Sequence, residues 1–377
     1  MACVIKSERG YNIFVEADMN LGHPRRMLEG VVDYLHRRAL HRRLHWGSEL
    51  PPKRSLERAG FDGMIRFHFR EPFDSHGLPT VWISSSRYLK GATHAVPDHR
   101  AVGRLAGEHF IERLYTQFAY VGLSDAAYAR ERLEGFREAV GDAPVREFPV
   151  PTDPGLSSAM RGFLKDFLHS LPPHCAVFGT DAQIHHVATL CHAEGIRVPE
   201  DIALLGADND VLLIHSSPLS YSSIDLDSER IGQRAAECLE SMLQSGRDDG
   251  QIVRVAPRGI VLRASTDHLA TDDTVIVRAV RLIRQEACAG LTVGELCRQL
   301  GMGRRAFEKR FRSVLGKSPD AEIRRTRMER AAHLLASTRL SVEQVAETCG
   351  FADAFYFSTA FRKAHGLSPR EWRRRPA

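Results

Sequence analysis

Polar residues able to grip hydroxyl groups stand at one recurring place in this 377-residue chain, directly behind short apolar runs. Asp18 and Asn20 follow NIFVEA, Asp98 opens the stretch DHRAVGRLAGEHF, and Arg132 lies in ARERLEGF behind QFAYVGL. Asp181 follows CAVFGT, and Asp208 follows DIALLGA. Each carboxylate can accept from two hydroxyls, and the arginine can donate through two parallel N–H groups. Gathered in one pocket, such a set suits a neutral polyol. For any single aspartate the competing assignment is a helix N-cap, where Asp is favoured in any case. Asp98, Arg132, Asp181 and Asp208 acting together favour the ligand.

Other chemistries lack their residues. GMGRRA (301–306) fits a dinucleotide glycine pattern in form, but it follows a helix pattern instead of a strand. His185 and His186 have no metal-ligand spacing, and GADNDVL lacks the glycine and distal glutamate of a calcium loop. There is no G-x-S-x-G and no phosphate-binding glycine loop, so neither catalysis nor a cofactor or metal is expected. Seven scattered cysteines without C-x-x-C spacing point to reduced thiols and a cytoplasmic protein. No apolar run reads as a signal peptide or a membrane span.

The runs NIFVEA, FDGMIRF, TVWIS, QFAYVGL, CAVFGT and DIALLGA read as buried strands, with helices starting near Pro24, Arg100, Ala129, Gly155, Ala182 and Ser228. That alternation predicts α/β layers on parallel sheets, whose ligands sit beyond the carboxyl ends of the strands. The six polar residues fall at those ends.

The last 110 residues differ. From His268 onward there are 21 Lys and Arg against 12 Asp and Glu, whereas the preceding part holds 31 against 35. A basic module on a mildly acidic body is suited to polyanions. The module is also duplicated. LTVGELCRQLGMGRRAFEKRFRSVLGKSP from Leu291 is repeated as LSVEQVAETCGFADAFYFSTAFRKAHGLSP from Leu340. Leu291, Val293, Leu296 and Gly301 match Leu340, Val342, Val345 and Gly350 at an offset of 49. Beyond the glycine the offset is 50, pairing Phe307 and Phe311 with Phe357 and Phe361. Thr292 with Glu295, and Ser341 with Gln344, predict capping boxes, and each copy reads as helix, glycine turn, helix. The stretch between the copies reads as one helix over 320–336, about 25 Å at ~1.5 Å per residue. Such a rod can hold two recognition helices near one DNA turn apart, ~34 Å.

GFADAFYFSTAFRKAHGLSPREWR resembles the signature of the AraC/XylS-type DNA-binding domain, and the likeness covers about residues 274–375. It implies base-facing positions at Arg305, Glu308 and Lys309 in the first unit and at Ala354, Tyr356, Ser358 and Thr359 in the second. Arg304, Lys317, Arg362 and Lys363 fall where phosphate contacts are expected. GIRVPEDIALLGADND and ERLEGFREAV resemble LacI/GalR sugar-sensing domains, and RVAPRGIVLRAST resembles their closing strand. That implies two α/β lobes with a hinge crossed three times, and sugar contacts at Asp98, Arg132, Asp181 and Asp208. The order of sensor then tail is similar to that of the bacterial xylose operon regulators.

The expected architecture is therefore an α/β, two-lobed, periplasmic-binding-protein-like sensor domain followed by an all-α double helix-turn-helix domain. The expected boundaries are 1–266, a linker 267–274, and 275–377, with helix-turn-helix units about 292–316 and 341–366. The expected partners are double-stranded DNA, a sugar (a pentose such as xylose), RNA polymerase if the protein activates, and a second copy of the chain. A different sugar or a repressing role is the alternative; a transport component or a sugar-modifying enzyme stands further off.

Overall fold

A computed structural model describes residues 10–19, 21–38, 41–67, 75–151, 158–271, 273–338 and 340–374. Asn20 lies outside them, as does Gly155. The chain divides into two compact units, Met1–His268 and Leu269–Ala377.

In the first unit, the strands β1 (Tyr11–Glu16), β2 (His41–Gly47), β3 (Gly63–Arg66), β4 (Thr80–Trp82) and β5 (Thr93–Pro97) alternate with α1 (Gly22–Arg37) and α2 (Lys53–Ala59). A second series runs α3 (His99–Ile111), β6 (Gln117–Leu123), α4 (Ala127–Val140), β7 (Val145–Val150), α5 (Ser158–Ser170), β8 (Cys175–Gly179), α6 (Asp181–Glu194), β9 (Ile202–Ala207), α7 (Val211–Ser216) and β10 (Ser222–Asp225). Then come α8 (Ser228–Ser245), β11 (Ile252–Val255) and β12 (Gly259–Val261). The sheets are ordered β2-β1-β3-β4-β5-β11 and β7-β6-β8-β9-β10-β12, and each belongs to one lobe. All the ladders are parallel except that of β12 with β10.

This order forces three crossings. The chain leaves the first sheet after β5, returns after β10 through α8, which packs on α1, and leaves again between β11 and β12. Asp98 N donates to Val255 O at 2.7 Å and Arg258 N to Asp225 O at 2.8 Å, tying the crossings together. β8 and β9 are buried along their whole length, which is why CAVFG and IALLGA read as unbroken apolar runs. Val121, Val177, Leu204, Ile184 and Val187 pack together in the core of the second lobe.

The second unit is helical: α9 (Thr274–Glu286), α10 (Val293–Leu300), α11 (Arg304–Leu315), α12 (Pro319–Ser337), α13 (Val342–Thr348), α14 (Ala354–His365) and α15 (Pro369–Arg374). It has two cores. Ile276, Ile283, Leu296, Phe307, Phe311 and Ile323 form one, and Met328, Leu335, Val345, Cys349, Phe357 and Phe361 the other. α12 supplies residues to both, and its 19 residues span about 28 Å at ~1.5 Å each. Arg327, also on α12, donates to Ala287 O at 2.7 Å and lies 6.0 Å from the Phe351 ring centroid, bracing one half against the other.

The capping boxes differ from expectation in one copy. Ser341 and Gln344 exchange both hydrogen bonds, at 3.1 and 2.8 Å. Thr292 accepts from Glu295 N at 3.2 Å, but the Glu295 carboxylate pairs with Arg298 one turn along. The repeated Ser-Pro is a helix start: Ser318 caps α12, with Pro319 at its first position, where a missing N–H costs nothing. Among the described residues no helix is long and apolar enough to cross a membrane.

Candidate functional site

The carboxyl ends of the two sheets carry Asp18, Asp98, Asp181 and Asp208, and Arg132 lies within α4 behind β6. α3 and α4 cross at near backbone contact: a Cβ on Gly103 would lie 1.9 Å from Arg132 O, and one on Gly135 2.0 Å from Arg100 O. Only glycines allow this approach, and it brings the start of α3 against Arg132. Arg132 Nε donates to His99 Nδ1 at 3.2 Å, and His99 Nε2 lies 2.6 Å from Ser85 Oγ. Arg132 Nη2 donates to Asp208 Oδ1 at 3.2 Å, and the guanidinium carbon stands 5.1 Å from the Tyr128 ring centroid. The Arg132 side chain is 3% exposed, and its Nη1 has no hydrogen-bond partner among the described residues. A buried guanidinium nitrogen left unsatisfied is costly, so this donor calls for an acceptor.

Asp208–Asp210 form a pinned turn. Asp208 has φ 121 and Asn209 φ 49, conformations disfavoured for residues with a Cβ. Three amides hold the turn to the second lobe: Asp208 N to Ile224 O at 3.0 Å, Asn209 N to Ser223 Oγ at 3.0 Å, and Asp210 N to Asp181 Oδ2 at 2.6 Å. The turn faces the first lobe with its carbonyls. Arg26 of α1 donates to Asp208 O and, at 3.1 Å, to Asn209 O, while Gly22 N donates to Asp210 Oδ2 at 2.8 Å.

Burial and the neighbouring Asp208 charge raise the Asp181 pKa to about 7. Burial also raises that of Asp208, opposed by Arg132. Burial, then the charges of Arg132 and Arg26, lower His23 to about 3, and burial, then the charges of Arg132, His23 and Arg254, hold His99 well below its usual value. Both imidazoles are thus neutral near pH 7. The site combines neutral rings, two guanidinium groups and a few carboxylates, and it can bind a ligand rich in hydroxyls.

The sequence-derived residues fare differently. Arg132 and Asp208 meet directly. Asp181 is fully buried beneath the turn, with one oxygen taken by Ser223 Oγ at 2.6 Å and the other by Asp210 N. Asp98 caps α3 through Ala101 N at 2.9 Å, and its neighbour His99 is the residue that touches Arg132. Asp18 lies in the loop after β1, its carbonyl accepting from Leu21 N at 3.2 Å. His23, Arg26, His99 and Asp210 were not singled out from sequence; HPRR reads only as the start of a helix.

In the second unit, Arg304, Arg305 and Lys309 are exposed on α11. Glu308 accepts from Arg304 Nε at 2.8 Å, one turn back. Lys317 directs its ammonium to the buried Glu322 at 2.7 Å instead of outward. Burial opposes ionisation of Glu322, yet hydrogen bonds and charge from Arg325 and Lys317 hold its pKa down to about 2. On α14 the Ser358 and Thr359 hydroxyls donate back to Ala354 O and Phe355 O, at 2.8 and 3.1 Å, which leaves their oxygens as acceptors. Ala354 is half-buried, Tyr356 and Lys363 are exposed, and Arg362 lies 3.4 Å from Glu371. Phe355, absent from the sequence-derived set, is the most exposed large apolar side chain among the described residues, at 81%.

Comparison with known proteins matches residues 107–266 to the periplasmic binding protein-like domain and residues 296–375 to a helix-turn-helix domain. The xylose operon regulatory protein of Escherichia coli K12 is 30% identical over 307 residues, 78% of each chain. That of Haemophilus influenzae is 26% identical over 97% of this chain and 99% of its own. Among solved structures, a xylose-binding transcription activator superposes with a TM-score of 0.61 at 26% identity, covering 97% and 98% of the two chains. A LacI family transcriptional regulator from Enterococcus faecium with bound ribose shares the fold of the first unit, with a TM-score of 0.55 at 18% identity, covering 69% of this chain and 99% of that one.

Proposed function

The chain belongs to the family of xylose operon regulatory proteins, and on that premise we propose that it activates pentose catabolic genes in response to D-xylose or a close relative. The sugar sits between the lobes, where Arg132, Asp208 and Asp98 contact its hydroxyls and Asp181 holds the Asp208–Asp210 turn in place. The observation that carries this reading is the buried Nη1 of Arg132, left without a partner beside Asp208. A hydroxyl placed there satisfies the guanidinium and can donate in turn to the Asp208 carboxylate.

The protein acts as a homodimer on double-stranded DNA, with α11 and α14 as the recognition helices and RNA polymerase as the partner in activation. Arg305 and Lys309 read guanine edges, and Lys363 and Arg362 neutralise phosphates. Sugar binding closes the lobes over the Arg26 and Gly22 contacts and so changes how the two copies present their tails.

A thermal-shift screen of the full chain against D-xylose, L-arabinose, D-ribose and D-glucose tests the sugar assignment. A pentose should raise the melting temperature by mass action, and Asp208→Ala should abolish the rise. A response to D-glucose alone would replace the pentose assignment, and no response to any sugar would end the sensor reading.

A further inference from the structure

We propose that Phe355 is the specificity-determining residue of the second helix-turn-helix unit, an apolar reader that packs against a thymine 5-methyl group. The proposal rests on the DNA-binding reading above and deepens it.

The internal duplication supplies the alignment. The offset of 50 that superposes buried Phe307 and Phe311 on buried Phe357 and Phe361 also places Arg305 on Phe355 and Lys309 on Thr359. It places Arg312 on Arg362 and Ser313 on Lys363 as well. All eight of these latter residues are exposed, and within each helix they stand at i, i+4, i+7 and i+8, one stripe opposite the phenylalanine core. Phe355 thus occupies in the second unit the place that Arg305 occupies in the first.

The helix start fixes the backbone of Phe355. Asp353 Oδ1 accepts from Phe355 N at 2.7 Å, and Thr359 Oγ1 donates to Phe355 O at 3.1 Å. An aromatic ring 81% exposed at the head of a helix gains little from the fold, and with Tyr356 beside it at 53% it forms an apolar patch available for binding. Phe355 has neither donor nor acceptor, so it cannot read the polar edges of guanine, adenine or cytosine. The one apolar group the major groove displays is the thymine methyl. Arg362 and Lys363 on the same stripe favour a polyanion over an apolar protein partner as the occupant. The two units therefore read different chemistry through one scaffold, a guanine under Arg305 and a thymine under Phe355.

The test begins with selection of a random duplex library on the full chain with D-xylose present. The half-site relaxed by Arg305→Ala is the first, and its companion the second. Each thymine of the second half-site is then replaced by deoxyuridine, which removes only the methyl. One replacement should weaken wild-type binding about fourfold, the worth of one buried methyl at ~0.8 kcal/mol, and should leave Phe355→Ala unaffected. Phe355→Leu should keep the methyl dependence, and Phe355→Arg should move the preferred base there from thymine to guanine. Deoxyuridine tolerated everywhere by the wild type, or a loss that persists in Phe355→Ala, would overturn the proposal while leaving DNA binding intact. A selection that enriches no sequence would overturn both. If Phe355→Ala failed to fold, the deoxyuridine series on the wild type and the base preference selected by Phe355→Arg would still decide the matter.

Discussion

Asp273 and Arg310 are joined at 2.7 Å, and the bond fastens the start of α9 to α11 within the second unit. The other Asp273 oxygen caps α9 through Ile276 N at 3.1 Å, so one carboxylate holds both α9 and α11. The first helix of the second unit and the helix that carries Arg305 are thereby held together. Asp273→Ala should leave sugar affinity within about twofold of wild type but shrink the sugar-dependent change in DNA affinity severalfold, because a cap and an ion pair are each worth ~1 kcal/mol. Calorimetry with the sugar and fluorescence anisotropy with the selected duplex separate the two effects.

Arg132→Lys should cost at least tenfold in sugar affinity. Lysine keeps the charge but offers neither the planar fork nor the second N–H direction that Asp208, His99 and the ligand share. Arg132→Ala should in addition lower the melting temperature of the first unit, because it leaves Asp208 without its buried counter-charge, a loss of roughly 3–5 kcal/mol. Titration calorimetry and thermal melting check both.

The buried site makes opposed contributions to stability against pH. Asp181, raised from 3.8 to about 7, contributes stability that is present below pH ~4 and lost as pH rises through about 7. His23, lowered from 6.5 to about 3, contributes stability present above its unfolded value and lost as pH falls towards 3. The two oppose each other between about pH 4 and 6.5. Asp181→Asn should therefore gain stability relative to wild type progressively from pH 4 to pH 7, and His23→Gln should gain it as pH falls below 6.5. Melting of the full chain across that range reads both slopes.

Three basic residues of the second unit should separate by role. Arg305→Ala should relax one base position at a cost of about 1–3 kcal/mol, whereas Lys363→Ala should weaken all sequences alike and lower the salt slope by about one. Lys317→Ala should act chiefly on stability, since its ammonium is committed to Glu322. Salt titrations of duplex binding, paired with melting curves, distinguish the three.

Much of this molecule was legible in its sequence because its signals are periodic. The strands buried on both faces announced themselves as apolar runs, and the phenylalanine pairs of the duplicated module fixed both helix-turn-helix units. Strands at sheet edges did not read so clearly. HRRLHWG is β2, an edge strand rich in charge, and RVAPRGIV splits into β11 and β12 of different sheets, a division visible only from the pairing. In the site, Arg132 and Asp208 were found because parallel sheets present ligand groups at their carboxyl ends. Asp98 and Asp181 were found for the same reason, yet their carboxylates are engaged in capping α3 and holding a turn. Arg26 and His23 escaped notice because nothing in a helix's first turn records that it faces another lobe. Phe355 escaped because the family resemblance places the base-facing positions of the second copy at Ala354, Tyr356, Ser358 and Thr359, and its exposure is visible only in the structure.

Sugar-dependent DNA binding is read most directly by anisotropy of the full chain on its selected duplex, with and without D-xylose, for the wild type and for Asp208→Ala. The sugar should shift wild-type DNA affinity by about fivefold or more, the lower end of ordinary coupling energies of ~1–3 kcal/mol. Asp208→Ala should keep the sugar-free affinity and lose the shift. A wild type indifferent to every pentose and hexose tried, or a variant that responds as the wild type does, would rule out a sugar sensor built on Asp208.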